Sequence, residues 1–410
     1  MSDTPTIELA PITVTAEAPA EAERVRGADL VLLDNGRVYA GWQTVRVSRG
    51  IDRVAADFHL GLSDRWHGGA DGWQIKEFSA IELRLGGLPI ITGYVDAPDS
   101  EIDERALNIS VAGRSKTEDL IDCNPELAGV EFRGTTLAAI ARALCAPFGI
   151  EVLVQVDTGQ GFDLTTTDRG LADAFDAVVL ERTETCFEFI EKLARLRGVL
   201  CTDDERGRLV LTRAGASHAG TVLELGRNLL NLKFGRNVSK RFSKYTVLAQ
   251  HGDAGEESLL PLDGGAASVG GGSAVVVQGS ATDQGVPRYR PKVQSAEKAL
   301  TAAAAYDRAR WQAAWQYGRS VQVSALVRGW TQPDLTLWKV NQQVTVKAPR
   351  FGLAADFLVV ALDFTLDEKG RTTMLHLGPI EGYTPDPGQV KRRTPSGGGA
   401  ESLLSLPPAG

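Results

Sequence analysis

The sequence predicts an α+β fold that is mainly β, with two β regions bracketing a small mixed insert. Three observations carry this. Runs in which apolar residues alternate with polar or small ones recur in residues 28–118 and 221–384, the mark of strands with one buried face. Between about 119 and 220 the apolar spacing changes to i, i+3, i+4, i+7, the period of a helix. The 44 glycines, against 7 tyrosines and 7 tryptophans in 410 residues, supply the turns of a β-rich chain. A chain this long exceeds one ordinary core, so about two to four domains are expected.

Residues 1–27, rich in Pro, Ala, Glu and Thr, read as an extended N-terminal arm. In 28–118, Val54, Ala56, Phe58, Leu60 and Leu62 alternate and predict a strand. Ile81, Leu83 and Leu85 predict another, which Gly86-Gly87 turns back into Pro89-Ile90-Ile91-Thr92. Leu107, Ile109 and Val111 predict a third. Short strands with glycine-bearing turns and no helix imply a small barrel or sandwich.

In 119–220, Leu137, Ile140, Ala141 and Leu144 mark a helix, with Thr135 or Thr136 as its N-cap and Pro147 as its stop. Val152, Val154 and Val156 alternate after it. A second helix starts at Thr185, where Glu188 completes a capping box. Its apolar stripe is Cys186, Phe189, Ile190, Leu193 and Leu196, and Gly198 ends it. A hairpin then joins Val199–Thr202 to Leu209–Thr212 through Asp203-Asp204-Glu205-Arg206-Gly207.

In 221–384, Leu230, Leu232 and Phe234 alternate, as do Tyr245, Val247 and Ala249, and a glycine-rich loop covers roughly 252–273. Ser295 is expected to cap one long helix, 296–317, with Leu300, Ala304, Trp311 and Trp315 on its apolar face. Strands resume at Val321, Val323, Ala325 and Val327, then at Val344 and Val346. A last hairpin pairs Leu358, Val360, Leu362 and Phe364 with Thr373, Leu375 and Leu377 through Asp367-Glu368-Lys369-Gly370. Residues 385–410, with their Pro and Gly runs, read as a flexible tail. No alignable repeat relates the two β regions.

Composition narrows the function. Hydrophobic residues at 43% and charged residues at 23% set aside a disordered or collagen-like chain. A net charge of −8, with Lys391-Arg392-Arg393 as the one basic cluster, argues against tight nucleic-acid binding, which needs a basic stripe. It permits a channel through which DNA slides without specific binding. No basic-then-apolar leader and no run of about 18 apolar residues occurs, so neither ordinary secretion nor a membrane span is expected. Cys123, Cys145, Cys186 and Cys201 form no C-x-x-C and have no histidine pair at metal-ligand spacing. They read as reduced, mostly buried thiols, with a Cys186–Cys201 disulfide left open by spacing.

Several short strings offer candidate chemistry. Asp157-Thr158-Gly159 matches the short aspartic-protease string, but that chemistry needs two carboxylates sharing a proton, and a turn is the better reading. Ser295-Ala296-Glu297-Lys298 matches Ser-x-x-Lys without its companion motifs, and Ser295 reads as a helix cap. Gly270-Gly271-Gly272 lacks the Gly-Lys-Ser/Thr of a phosphate cradle. His59, His67, His218, His251 and His376 are scattered. Trp42, Trp66, Trp73, Trp330 and Trp338 lie in or beside β segments, where core packing and subunit contact outweigh a sugar-binding face. No catalytic, cofactor-binding or metal residues are expected, no cofactor, and no enzyme.

Five strings in order resemble one family. Leu88-Pro89-Ile90-Ile91-Thr92-Gly93-Tyr94-Val95-Asp96, then Ile109-Ser110-Val111-Ala112-Gly113-Arg114-Ser115-Lys116 and Asp119-Leu120-Ile121-Asp122-Cys123, are similar to the baseplate hub of Mu-like phages. Val327-Arg328-Gly329-Trp330, and Leu337-Trp338-Lys339-Val340-Asn341 with Val344-Thr345-Val346, resemble that family's C-terminal barrel. The resemblance spans roughly 28–384 and implies two tube-like β-barrel domains, 28–118 and 221–384, around the 119–220 insert. It further implies a homotrimer forming a six-barrel ring between a sixfold tail tube and a threefold central spike. The implied partners are its own copies, the spike protein, the tail tube protein, the tape-measure protein in the lumen, other baseplate proteins and passing DNA, with no membrane. The implied location is the tail baseplate of the virion, assembled in the host cytoplasm. Alternatives are a tail-associated peptidoglycan hydrolase, which zymography would reveal, and a carbohydrate-binding tail component, which glycan binding by the isolated chain would reveal.

Overall fold

The computed structural model describes residues 30–34, 37–64, 75–102, 107–126, 131–155, 174–215, 217–250, 276–296 and 300–384. The expected arm 1–27, the glycine-rich loop 252–273, the tail 385–410, Lys391–Arg393, Asp157-Thr158-Gly159 and Gly270–Gly272 lie outside the described residues, as do Trp66, Trp73, His67 and His251.

The N-terminal β region contains β1 (Leu30–Asp34), β2 (Arg37–Tyr39), β3 (Thr44–Gly50), β4 (Asp57–Asp64), β5 (Ala80–Leu85), β6 (Leu88–Ile102) and β7 (Leu107–Ser115). The alternation is visible in burial: Phe58 and Leu60 on β4, and Ile81, Leu83 and Leu85 on β5, all face the core. Gly86 and Gly87 take φ of 54° and 85°, the left-handed values that a two-residue hairpin loop requires.

The insert follows as α1 (Glu118–Asp122), β8 (Glu131–Thr136), α2 (Leu137–Cys145), β9 (Val152–Val154), β10 (Ala174–Val179), α3 (Cys186–Leu196), β11 (Leu200–Asp203) and β12 (Leu209–Thr212). Thr136, not Thr135, caps α2 by accepting from Ala139 N–H. Thr185 and Glu188 form the reciprocal capping box of α3, and Gly198 leaves it with φ 65°. Leu137, Ile140, Leu144, Cys186, Phe189, Ile190 and Leu193 build a core separate from that of the sheet.

The C-terminal part holds β13 (Ser217–Glu224), β14 (Leu229–Arg236), β15 (Lys244–Gln250), β16 (Val276–Thr282), β17 (Pro291–Ser295), α4 (Ala302–Ser320), β18 (Val321–Arg328), β19 (Gln342–Ala348), β20 (Leu353–Asp367) and β21 (Gly370–Gly378). Here the expected helix 296–317 is corrected. Ser295 ends β17, opposite Leu248 in a parallel ladder with β15, and Thr301 is the true N-cap, accepting from Ala304 N–H. The buried stripe is also displaced: Ala305 and Ala309 are fully covered, whereas Trp311 and Trp315 are half-buried. Small residues face inward because α4 lies almost on the backbone of β16. A Cβ on Gly279 would stand 2.1 Å from Tyr306 N. The region expected as one β body therefore holds two: β15–β17 with α4 form a unit with its own small core, and the other strands belong to the main sheet.

That main sheet has 13 strands and runs through both β regions, in the order β14-β18-β21-β20-β3-β4-β7-β6-β5-β1-β2, with β19 on β20 and β13 on β19. Its two halves share a plan. In the first, β3-β4-β7-β6-β5-β1 are neighbours; in the second, β14-β18-β21-β20-β19-β13 are neighbours in the corresponding chain order. β6 and β20 are each 15 residues long, and β7 and β21 each 9. Both long strands bulge in the ladder with the strand that follows, between Val95 and Ala97 and between Val359 and Ala361. Even a left-handed residue is shared. Phe78 (φ 62°) and Asn341 (φ 64°) donate their N–H to Val95 O and Val359 O at 2.8 and 2.9 Å. The halves differ at the sixth strand, since β1 runs antiparallel to β5 but β13 parallel to β19. They meet where β20 pairs with β3, Ala361 opposite Gly50 through Leu366 opposite Val45.

Candidate functional site

The seam between the halves is closed by polar groups on one face of the sheet. Asp363 of β20 lies opposite Ser48 of β3, whose hydroxyl donates to Asp363 Oδ1 at 2.5 Å. Arg46 Nη2 reaches the same oxygen at 3.4 Å, and His376 Nε2 lies 3.1 Å from Oδ2. These bonds, that from His376 first, outweigh partial burial and hold the Asp363 carboxyl down to about 2. Ser, His and Asp thus meet, but in the wrong order for acyl transfer. A nucleophilic serine must give its proton to histidine, whereas here the carboxylate stands between the two. The cluster clasps the seam.

A second joint docks the insert against the sheet. Arg49, buried on β3, donates to Ile90 O at 3.1 Å and lies 3.8 Å from Asp203 Oδ1. Asp203 Oδ2 accepts from Ala56 N–H at 3.4 Å, and burial pushes this carboxyl up, with Arg49 opposing. Asn341 accepts from Gly215 N–H at 2.8 Å and donates to Arg213 O at 2.8 Å. Lys339 Nζ meets Glu205 Oε1 at 2.8 Å. A cleft of about 160 Å³ lies among Arg49, Asp203, Glu205, Trp338 and Lys339. Its charged groups are committed to each other across the joint, so it reads as an articulation of two bodies.

A third cluster sits where β7 enters α1. Arg114 ion-pairs with Asp96 (3.0 Å), Glu118 (2.8 Å) and Asp122 (2.9 Å). Three acids around one guanidinium leave negative charge in excess. Burial first, and the Asp96 charge second, push Glu118 up to about 7 against the pull of Arg114.

Among the described residues, those singled out in the sequence are not brought together. Ser295 lies in β17, with Glu297 and Lys298 of its motif outside the described residues. His59 faces Ser110 at 3.1 Å, His376 belongs to the seam, and His218 lies on β13. Trp42, Trp330 and Trp338 are buried in the core, which removes them as sugar platforms. The four cysteines are free thiols, so the Cys186–Cys201 disulfide is not made. Burial raises Cys186 to about 11 and Cys145 to about 12. Among the described residues no group of three or more His, Cys, Asp or Glu is placed to hold a metal. The seam and the joint escaped sequence reasoning because Ser48, Asp363 and His376 carry no local motif. A polar residue inside an otherwise alternating strand was the only available sign.

Sheet edges offer a further surface. β14 is the terminal strand of the sheet path and, among the described residues, is paired on one side only, by β18. Leu230 and Val238, on and just after it, are 49% and 51% exposed. Among the described residues the distal part of β6 pairs with β7 alone, since its ladder with β5 stops at Tyr94. Long unpaired edges with exposed apolar residues are hazards in a monomer and assets in an assembly.

Known proteins supply relatives for most of the chain. Residues 29–115 match the family described as Mu phage baseplate assembly protein GpP-like, N-terminal. Residues 117–213 match baseplate hub protein gp44-like, second domain, and 301–386 match Mu phage baseplate assembly protein GpP, fourth domain. Over 380 residues the chain is 34% identical to baseplate hub protein gp44 of Escherichia phage Mu, covering 92% of this chain and 95% of that one. Among solved structures it is similar to the 43 kDa tail protein of prophage MuSo2 from Shewanella oneidensis. That match has 30% identity and a TM-score of 0.71, covering 87% of this chain and 99% of that one. A tail protein from Neisseria meningitidis MC58 shares the fold at 19% identity and a TM-score of 0.67, over 88% and 99% of the two chains.

Proposed function

The chain belongs to the family of Mu phage baseplate hub proteins, and from that membership we propose that three copies close into a ring joining a sixfold tail tube to a threefold central spike. The protein is a structural baseplate component of a phage tail. The observation that carries the finer reading is the shared strand plan of the two halves of the main sheet. A closed ring of three such chains presents six similar half-sheets, so one face can meet sixfold symmetry while the whole keeps threefold symmetry. The two 28–118 and 221–384 regions are then the two tube-like barrels, closed by neighbours in the ring. The bore passes the tape-measure protein and afterwards DNA. The net charge of −8 suits passage without binding, because phosphate is repelled.

The test is mass in solution followed by electron microscopy. Purified full-length chain, alone and with the spike protein, is expected at three times the 43.9 kDa of one chain and as closed threefold rings. A species that stays at one chain mass under both conditions overturns the ring.

A further inference from the structure

The two halves of the main sheet are already joined by one ladder, β20 to β3, and their common plan says where its counterpart lies. Aligned on their bulges, β6 and β20 place Asp96 on Val360, Pro98 on Leu362, Asp99 on Asp363 and Glu101 on Thr365. β3 and β14 align through their partners. Val47 lies opposite Phe58, which lies opposite Gly113; Phe234 lies opposite Val323, which lies opposite Leu377. Gly113 and Leu377 are equivalent in the β7–β21 alignment, so Val47 corresponds to Phe234, Arg46 to Lys233 and Ile51 to Val238.

The strands equivalent to β20 and β3 are therefore β6 and β14, and among the described residues each lacks the partner its counterpart has. The difference shows in burial. Val45, Val47 and Ile51 are at most 2% exposed, whereas Leu232 and Phe234 are half-buried and Val238 is 51% exposed. On the other strand, Leu362 and Phe364 are buried but Pro98 is half-buried and Ser100 exposed. Charge agrees too: the β6 edge carries Asp96, Asp99 and Glu101, and the β14 edge carries Lys233 and Arg236, with Lys240 beyond.

We propose that residues 96–101 of β6 in one subunit pair antiparallel with β14 of the next, repeating the β20–β3 ladder between chains and setting Glu101 opposite the neighbouring subunit's Lys233. This rests on the ring reading and specifies its interface. In the internal ladder Ile51 N–H donates to Val360 O at 2.8 Å, so Ile51 and Val360 form a hydrogen-bonded pair. By alternation Arg46 and Thr365 form a non-hydrogen-bonded pair, with side chains closer together. Glu101 and Lys233 inherit that close position. Asp99 inherits the place of Asp363, and its charge falls diagonal to Lys233 as Asp363 does to Arg46. Pro98 falls where the internal strand turns an N–H outward, so the ladder between chains forms one bond short, as suits proline on an edge.

The experiment uses the full-length chain carrying Glu101→Cys and Lys233→Cys, both exposed positions, oxidised and run without reductant. Cross-linked dimer and trimer bands are expected, at about tenfold the yield of either single variant or of the out-of-register pair Glu101→Cys with Gly235→Cys, because a disulfide tolerates only close, aligned Cβ atoms. Charge exchange gives a second readout. Glu101→Lys is expected to raise the concentration needed for half-assembly, and Glu101→Lys with Lys233→Glu to restore it. A trimer by mass that cross-links no better in register than out of register overturns the ladder and leaves the ring standing. A chain that stays monomeric at every concentration, with spike present, overturns both.

Discussion

At the scale of single residues, the seam carboxylate makes stability depend on pH. Asp363 is held near 2 in the folded chain against an ordinary 3.8, and its side chain is only 21% exposed. A depressed acid contributes stability above its unfolded value and loses it as pH falls toward the folded one. Asp363→Asn is therefore expected to cost on the order of 2 kcal/mol at pH 7, with the gap to wild type closing between about pH 4 and pH 2. Urea unfolding at several pH values measures this; a gap independent of pH would assign the loss to packing. Phe78 gives a change of opposite sign. It holds φ 62° while 86% exposed, so a bulky side chain occupies a left-handed backbone with little contact in return. Asn341 fills the equivalent place in the other half with a residue suited to it. Phe78→Asn is expected to stabilise the isolated chain by about 1 kcal/mol, read as a raised Tm. An unchanged or lowered Tm of the isolated chain would mean that the left-handed backbone at Phe78 holds no strain that asparagine relieves.

At the scale of elements, the packing of α4 is decided by backbone approach. Gly279→Ala would place a Cβ against Tyr306 N and Ala305 C, neither of which can rotate away. The helix must lift from β16, at an expected cost of about 1–3 kcal/mol; calorimetry showing no loss would mean that the helix slides freely there. This contact also explains why α4 was the least legible element. Residues 296–300 read Ala-Glu-Lys-Ala-Leu, fully compatible with a helix, and Ser295 imitates a cap that Thr301 in fact provides. Its tryptophans suggested the buried face, yet a helix pressed onto a strand buries its smallest residues. By contrast, α3 was legible to the residue because its capping box and stripe are local. The hairpins at Gly86-Gly87 and Asp367–Gly370 were legible because turn chemistry and alternation coincide. What local pattern could not show was the β20–β3 ladder, which joins residues more than 300 apart. Nor could it show the duplication, since equivalent positions hold Phe364 and Ser100, Leu362 and Pro98, or Ser48 and Gly235. The plan persists in hydrogen-bond topology, where side-chain identity is free to drift.

At the scale of the whole molecule, the halves share their sheet but not their attachments. The first is followed by the α1–β12 insert, which has its own core. The second is interrupted between β14 and β18 by β15–β17 and α4. A ring of three chains therefore repeats its sheet six times and each attachment three times. Any contact confined to the sheet can follow a sixfold partner, and any contact with an attachment is bound to threefold order. The expected image follows. Face-on averages of the purified ring should show rotational power dominated by the sixth order at the radius of the sheet and by the third order at the radius of the attachments. Truncating neither body is needed, because the two orders separate by radius within one image. Threefold power alone at every radius would mean that the shared plan does not place the halves equivalently about the axis. The proposed ring would then need some other device to meet a sixfold tube.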